Sequence, residues 1–309
     1  MHLGFAGRGP LSLCLLSVLT LLSLPSAASQ HETSCAPANI LVVHPAHADA
    51  YEVVFRDIAE GIRSASRRSV SVCSVDDIAL GKDGFSPKKV FALGEDVYTK
   101  SVSNFSSKIV IPVLVRKLPK GAKYGVSLHI SPRPILRTLC NLYATGKERK
   151  SVTLIHRAEV DKKFLELAKQ EASQCSISLT TKVADNLLTI GSISKDLLTN
   201  PPSGSVVWFH DDVIRINPNL LLPKIARLSW KAVTPVIADQ ADYVKRGLLF
   251  AHFHDYRGLG RLCASLLTKE PIGMVFSSAT KSALNMRTAK AIGLPVRQSK
   301  QADFDAIYD

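Results

Sequence analysis

Residues 39–62 read NILVVHPAHADAYEVVFRDIAEGI, and this stretch indicates the fold of the chain. Asn39–His44 is a short continuous apolar run of the kind found in strands covered on both faces. Asp49 and Glu52 then stand at the spacing of a helix capping box. Apolar residues recur at helical intervals after them: Tyr51, Val54, Phe55, Ile58 and Ile62. The stretch therefore predicts a buried strand followed by an amphipathic helix.

The same alternation continues along the chain. Further strands are predicted at 69–75, 89–93, 108–115 and 125–130, with a helix over 135–143. After a charged stretch at 146–150 a second series begins, with strands at 151–156, 177–183, 205–210, 233–238, 248–254 and 274–277, each of the last two followed by a helix. Strands that alternate with helices of about 10–15 residues predict parallel sheets with helices on both faces. Two such series predict two lobes.

The composition is that of a folded globular protein. The 309 residues are 46% hydrophobic and 21% charged, which excludes a disordered chain. The formal net charge of +13 comes from lysines and arginines scattered along the sequence, without a block of like charges and with little aromatic interleaving. This pattern does not predict a nucleic-acid partner. It leaves open a solvated basic surface or a surface that faces an anionic partner.

The first 28 residues have the pattern of a signal peptide. Arg8 precedes an apolar run at 11–24, LSLCLLSVLTLLSL, which is shorter than the roughly 20 residues of a bilayer span. Small residues at Ser26 and Ala28 suit cleavage after Ala28. The sequence therefore predicts export to the periplasm; an uncleaved anchor is the alternative.

Five cysteines remain after such a cleavage: Cys35, Cys73, Cys140, Cys175 and Cys263. They lack close C-x-x-C spacing, which argues against a zinc site or a redox motif. If one disulfide forms, we expect it between Cys35 and Cys73, because these residues flank or lie on the first two strands, which are expected to be neighbours. Buried unpaired thiols are the alternative.

Polar residues follow the predicted strands. Because ligands of parallel α/β sheets bind beyond the carboxyl ends of the strands, these positions predict a polar cleft between the two lobes. The alternative for each histidine is a turn residue that is satisfied locally. The candidate residues are His44 and His47; Gly94, Glu95 and Asp96; His156 and Arg157; His210, Asp211 and Asp212; and Asp239 and Gln240.

No catalytic motif stands out. The sequence has no G-x-S-x-G elbow, no G-x-x-x-x-G-K-[ST] loop and no H-E-x-x-H helix, so neither an enzyme nor a cofactor is predicted. His252 and His254 lie two apart on one strand and so share a face. With Asp255 they resemble half of a transition-metal site, which needs further ligands from the other lobe.

The C-terminal third resembles a known family. Ala241–Gly247 (ADYVKRG) and His254–Arg261 (HDYRGLGR) are similar to a pattern in extracytoplasmic solute-binding proteins of ABC transporters, in the branch that takes up tryptophan and tyrosine. Ala283–Pro295 is similar to the closing helix of that family. Other matching segments stand in the expected order, at Gly94, Ile111–Val113 and Gly125–Leu128. The resemblance covers about residues 38–296 and rests on order and spacing.

This resemblance implies a type I periplasmic-binding-protein architecture, with two Rossmann-like lobes that close on a small-molecule ligand, a membrane permease as partner, and a monomeric state. It places the strand-end residues above in the ligand-binding loops. Arg157 is the best candidate for binding a carboxylate, with a surface salt bridge as the alternative. The implied division is a signal peptide at 1–28, lobe 1 at 36–145 plus 272–296, lobe 2 at 146–271, and a tail at 297–309.

One segment departs from the family pattern. Between Val75 and Lys89 the chain is too short for the usual second helix. The first lobe is therefore expected to be smaller than in the family, with a ligand pocket that is altered or lost. A different role is then the alternative: a periplasmic sensor or partner subunit that keeps the fold and serves a receptor or signalling protein. A metal-binding protein is the third hypothesis.

Overall fold

A computed structural model of the chain describes residues 35–46, 51–80, 86–107, 109–143 and 150–309, all within the unit Thr33–Asp309. The strands are β1 (Ile40–His44), β2 (Val70–Ser74), β3 (Lys89–Leu93), β4 (Val110–Val115), β5 (Tyr124–Ile130), β6 (Ser151–His156), β7 (Ser178–Val183), β8 (Ser205–Phe209), β9 (Val236–Ile237), β10 (Phe250–His254), β11 (Gly273–Ser277), β12 (Thr280–Asn285) and β13 (Ala306–Tyr308).

The helices alternate with these strands over most of the described chain. They are α1 (Glu52–Ser66), α2 (Val75–Leu80), α3 (Glu95–Asn104), α4 (Pro132–Leu142), α5 (Lys162–Gln174), α6 (Leu187–Thr199), α7 (Asp211–Ile214), α8 (Pro218–Ala232), α9 (Ala241–Lys245), α10 (Tyr256–Ser265), α11 (Met286–Ala291) and α12 (Gln298–Gln301). None of the helices in these described ranges is long and apolar enough to cross a membrane.

The first sheet has six parallel strands in the order β11-β5-β4-β3-β1-β2. Its strands are apolar on both faces because helices cover both. Ile40 and Val42 of β1 pack on one face against residues of α1 that include Ile58. The intervening Leu41 and Val43 pack on the other face, against residues of α3. The continuous apolar run of β1 is therefore buried on both faces of the sheet, as the sequence predicted.

The second sheet has four parallel strands in the order β7-β6-β8-β9. Leu154 of β6 packs with Phe164 of α5 and with residues of α4 on one face. Ile155 packs on the other face with residues of α6 and α8. Both series of alternating strands and helices thus form parallel sheets, and the predicted α/β fold class is confirmed.

A third, smaller sheet was not predicted. Its order is β10-β12-β13, and β10 pairs antiparallel with β12. The prediction that 274–277 closes the series of strands and is followed by a helix is wrong in its order, because another strand, β12, begins at Thr280 and helix α11 begins only at Met286. Only residues 278 and 279 separate β11 from β12, which leaves no room for a helix. A bridge between Ala238 and Ala251 connects this sheet with the strand end of β9.

Helices α1 and α10 cross at a contact between two glycines. A Cβ atom on Gly260 would lie 2.1 Å from the carbonyl oxygen of Ile58, and one on Gly61 would lie 2.1 Å from that of Arg257. The absence of side chains lets the two backbones touch. Leu259 and Cys263 of α10 then join the cluster formed by β1 and α1. Helix α10 therefore covers the first sheet.

The lobe division remains a prediction, and two segments show how the chain crosses between the sheets. Helix α10, which the predicted division assigns to lobe 2, packs on α1. Helix α11, assigned to lobe 1, contributes Met286 and Ala289 to the cluster under the second sheet. The predicted signal peptide at 1–28 and most of the charged boundary at 146–150 lie outside the described residues.

Two disulfides join cysteines that are distant in sequence. Cys35 is bonded to Cys73 of β2, with the two Cα atoms 5.5 Å apart. Cys140 of α4 is bonded to Cys175, the residue that ends α5, with a Cα separation of 5.8 Å. The free thiol of Cys263 is fully buried, and burial raises its pKa to about 12.

Candidate functional site

The carboxyl ends of the two parallel sheets meet at a small cleft. Its pocket has a volume of about 190 Å³. One wall comes from residues at the strand ends of the first sheet and the other from the loops after β6 and β8. The lining residues are Glu95, Arg116, Lys117, His129, Glu159, Val160, Asp161 and Asp212. The position is the one expected for ligands of parallel α/β sheets.

Asp212 joins the two sides of this cleft. Its Oδ1 accepts a hydrogen bond of 2.6 Å from Arg116, which follows β4, and its Oδ2 lies 3.1 Å from Nε2 of His129 on β5. Burial alone would raise the pKa of Asp212. The hydrogen bond and the charge of His129, together with the charge of Arg116, instead hold that pKa well below its usual value. The carboxylate therefore stays charged.

His210 lies behind Asp212 and is completely buried. Its ring packs edge-on against Phe164, with centroids 5.1 Å apart, and 4.3 Å from the ring of His129. Neither ring nitrogen has a hydrogen-bond partner among the residues that the structure describes, although Nδ1 lies 3.8 Å from Oδ2 of Asp212. Burial, and next the charge of His129, lower the pKa of His210 well below its usual value, so the ring is neutral. We call Arg116, His129, His210 and Asp212 the Asp212 cluster.

Asp211 and Asp239 form a second, deeper layer. Asp211 accepts a hydrogen bond of 2.9 Å from the hydroxyl of Tyr243 and pairs with Arg215. Asp239 accepts hydrogen bonds from Nε1 of Trp208 at 2.9 Å and from the backbone N–H of Asp211 at 3.1 Å. Both carboxyl groups thus have partners on β8, on α9 and at the two ends of α7, so they orient the short helix α7, which contains Asp212.

We expect the indole N–H signal of Trp208 to report the titration of Asp239 near neutral pH. Burial raises the pKa of Asp239 to about 7 against the opposing effect of the hydrogen bond from Trp208. The acceptor of that hydrogen bond therefore loses its charge as the pH falls through this value. In ¹⁵N–¹H spectra recorded with a chelator present, the Nε1–H signal of Trp208 is expected to shift with a midpoint close to pH 7.

Trp230 is the internal control for this titration. Its Nε1 donates to the hydroxyl of Thr288, which does not ionise in this range, so its signal is expected to stay in place. The folded-state pKa of Asp239 lies above its usual 3.8, so the folded protein binds this proton more tightly. The stabilisation from Asp239 is therefore present below about pH 4 and is lost as the pH rises to about 7. Parallel shifts of both indole signals would contradict the assignment.

The predicted candidates on the first sheet are only partly brought together. Glu95 lines the pocket, and its Oε1 accepts hydrogen bonds from the backbone N–H groups of Arg116 and Lys117. Gly94 begins α3 at a positive φ of 104°, and Asp96 is exposed in the first turn of that helix.

His44 lies apart from the pocket. It stacks on Phe55 with centroids 4.7 Å apart and donates from Nδ1 to the carbonyl of Pro45. His47 lies outside the described residues.

On the second sheet, His156 ends β6 beside His210. Its Nδ1 lies 2.8 Å from the carbonyl of Arg157, and its buried Nε2 has no partner in the described part of the chain. Nε of Arg157 lies 3.8 Å from Asp185 in a partly exposed ion pair, so its role toward a carboxylate ligand stays a prediction. Gln240 precedes α9 and makes no side-chain capping hydrogen bond there.

The histidines of β10 are held by local hydrogen bonds. His252 contacts the hydroxyls of Thr138 and Thr280 at 2.8 and 3.1 Å, and Nε2 of His254 donates to the carbonyl of Leu128 at 2.7 Å. Asp255 pairs with Arg261. Within the described ranges these three do not form a group with metal-ligand spacing, whereas His129, His210 and Asp212 do.

Two residues of the Asp212 cluster were missed by sequence reasoning. Arg116 directly follows β4, so the strand-end rule that selected the other candidates also applies to it. His129 is the penultimate residue of β5 and lies inside this mostly buried strand. The rule that selected polar residues after the strand ends therefore did not select it. Only the approach of the second sheet reveals its role.

No protein-family model and no curated protein sequence match the chain. Solved structures do. A conserved domain protein from Vibrio cholerae is similar with 16% identity and a TM-score of 0.53, over 88% of this chain and 100% of that one. A ligand-free, open structure of a substrate-binding protein with adhesive properties from Clostridium difficile gives 14% identity and a TM-score of 0.58, over 87% and 98%.

A third similar structure is an ABC domain in complex with L-Trp from Streptococcus pneumonia, with 13% identity and a TM-score of 0.52, over 88% of this chain and 100% of that chain. These matches extend over nearly the whole length of each known protein. Together with the two parallel sheets and the cleft at their carboxyl ends, they show that the chain has the type I periplasmic-binding-protein fold of solute-binding proteins.

Proposed function

We propose that the protein is an exported, extracytoplasmic solute-binding protein, without enzymatic activity, that binds a small polar solute in the cleft and delivers it to a membrane permease. One observation carries this proposal: charged side chains from both sheets converge on one pocket, with Arg116 on one side facing Asp212 on the other. In a two-lobed protein, a solute that contacts both sides stabilises the closed form, which a membrane partner can recognise.

The chemistry of this pair favours a zwitterionic solute. Arg116 and Asp212 are a cation and an anion held 2.6 Å apart across the cleft. A ligand that enters between them gains most if its own anionic group binds the guanidinium and its cationic group binds the carboxylate. An α-amino acid carries these two charges. The L-Trp complex of a protein with the same fold supports this class of solute.

A thermal-shift screen of the purified protein against amino acids, sugars and small anions tests the proposal. A solute that binds only the folded state at 100 times its Kd stabilises it by about 2.7 kcal/mol. We expect an amino acid to raise the melting temperature, and Arg116→Met to abolish the rise. Arg261→Met is the matched control, because Arg261 pairs with Asp255 outside the pocket lining. Failure of every solute to stabilise the protein would refute the proposal.

A second role is favoured by the size of the pocket. Its volume of about 190 Å³ is below the roughly 300–1,000 Å³ of most ligand pockets, and the paired Arg116 and Asp212 belong to its lining. A sensor or partner subunit that keeps the fold and presents it to a receptor needs no large pocket. The neighbouring genes discriminate the two roles: a permease and an ATPase support transport, whereas a receptor or kinase supports sensing.

A further inference from the structure

The Asp212 cluster contains three potential metal ligands in one place. One ligand atom each from His129, His210 and Asp212 lies within 4.8 Å of the others. Nε2 of His129 and Nδ1 of His210 lie 3.1 and 3.8 Å from the same carboxylate oxygen, Oδ2 of Asp212. A tetrahedral ion with bonds of about 2.0–2.1 Å separates neighbouring ligand atoms by about 3.3–3.4 Å. The two distances bracket this separation.

The buried histidine nitrogens supply an independent observation. His210 is wholly buried, and neither ring nitrogen has a hydrogen-bond partner within the described ranges. Buried polar groups are rarely left unpaired in folded proteins, and such groups call for a water or an ion. His156, at the end of the paired strand β6, has a second buried nitrogen without a partner in the same part of the described chain. An ion at Nδ1 of His210 satisfies the most deeply buried of these groups.

Asp212 is suited to hold a cation without losing its other partner. Arg116 donates to Oδ1, which leaves Oδ2 for a metal. Two imidazoles and one carboxylate are the donor set that Zn²⁺ and neighbouring transition metals prefer. The pocket borders His129 and Asp212 but not His210, so an ion bound by all three would lie at the base of the cleft.

We propose that His129, His210 and Asp212 bind a divalent transition-metal ion of the Zn²⁺ class at the base of the cleft. This inference adds a metal ion to the proposed solute-binding site, and it rests on the proposed function because it assumes that the cleft is the ligand site. It differs from the sequence-based metal candidates His252, His254 and Asp255, whose side chains are engaged in local contacts.

Isothermal titration of the chelator-stripped protein with Zn²⁺ tests the inference. We expect one Zn²⁺ per chain, and at least a tenfold loss of affinity in His129→Gln and in His210→Phe. Glutamine keeps a hydrogen-bond donor toward Asp212, and phenylalanine fills the apolar side of the His210 site beside Phe164. Melting temperatures measured in EDTA show whether each variant folds. If one of these variants does not fold, the Zn²⁺ affinity of the other variant decides between the outcomes.

His252→Gln is the matched control, because it also replaces a buried histidine but leaves the three proposed ligands in place. Its Zn²⁺ affinity is expected to equal that of the unmodified protein. Unchanged affinity in His129→Gln and His210→Phe, or loss of affinity only in His252→Gln, would overturn the inference. If Zn²⁺ does not bind but an amino acid raises the melting temperature, the metal site is wrong and the proposed function stands. If neither binds, both fail.

Discussion

Gly260→Ala is expected to lower the free energy of unfolding by about 3 kcal/mol, at the upper end of the usual cost of overpacking. The added Cβ would lie 2.1 Å from the carbonyl oxygen of Ile58 and 2.8 Å from Cα of Gly61. Both obstacles are backbone atoms of α1, so no side chain can rotate away. The helices must separate, which disrupts the contact of Leu259 with the core of the first sheet. Urea denaturation of the two proteins measures the difference.

Gly191→Ala is the control for this substitution. Gly191 also lies inside a helix, α6, but its added Cβ would meet only Nζ of Lys224, at 3.9 Å. Alanine is favoured over glycine in helix interiors by about 0.5–1 kcal/mol, so this variant is expected to be slightly more stable than the parent. Equal stability of the Gly260 and Gly191 variants would show that the close approach of α1 and α10 is not required for the fold.

Replacing Cys140 and Cys175 together by alanine is expected to cost about 4 kcal/mol of stability. The bond closes a loop of 35 residues, and the chain-entropy model gives about that value for such a loop. Because the bridge ties α4 to the end of α5, its loss also loosens the two helices that cover one face of the second sheet. Urea denaturation without reductant measures the effect.

Adding dithiothreitol provides the control for the disulfide prediction. The reductant is expected to destabilise the parent protein by breaking both bridges, but to cost the Cys140→Ala/Cys175→Ala variant only the contribution of Cys35–Cys73. Cys263 is not part of a disulfide, so the reductant does not affect it. If the double variant unfolds at the same urea concentration as the parent under oxidising conditions, the bridge does not contribute to stability.

The parallel sheets were predictable because local sequence carries their signal. Buried strands such as β1 are runs of apolar residues, and the helices that follow them show apolar positions at helical spacing. The predicted capping box is not part of this success, because the residue before α1 is Tyr51, which makes no side-chain capping hydrogen bond, and Asp49 lies outside the described residues. Strand β12 lacked such a signal, because its sequence, TKSALN, begins with three polar residues and it is held in place by pairing with β10. Pairings of this kind depend on tertiary structure rather than on local pattern.

The candidate site was predictable only in part: Glu95 from the first sheet was selected and lines the pocket. The loop after β8 was selected because polar residues follow an apolar strand, and Asp212 does line the cleft, with His210 buried behind it. Arg116 and His129 reach the same place from the other sheet, and their relation to Asp212 depends on how the two sheets face each other. The Cys140–Cys175 bond was not predicted for a similar reason, since it requires α4 and α5 to lie side by side.

The buried thiol of Cys263 can be used to measure how often helix α10 detaches from the core. Burial raises the pKa of this thiol to about 12, so it stays protonated at pH 8, and the sulfur is shielded in the core under α10. In the folded protein such a thiol neither attacks the two disulfides nor links one molecule to another. A thiol-reactive dye can therefore label the folded chain only when α10 detaches, and the labelling rate measures how often that happens.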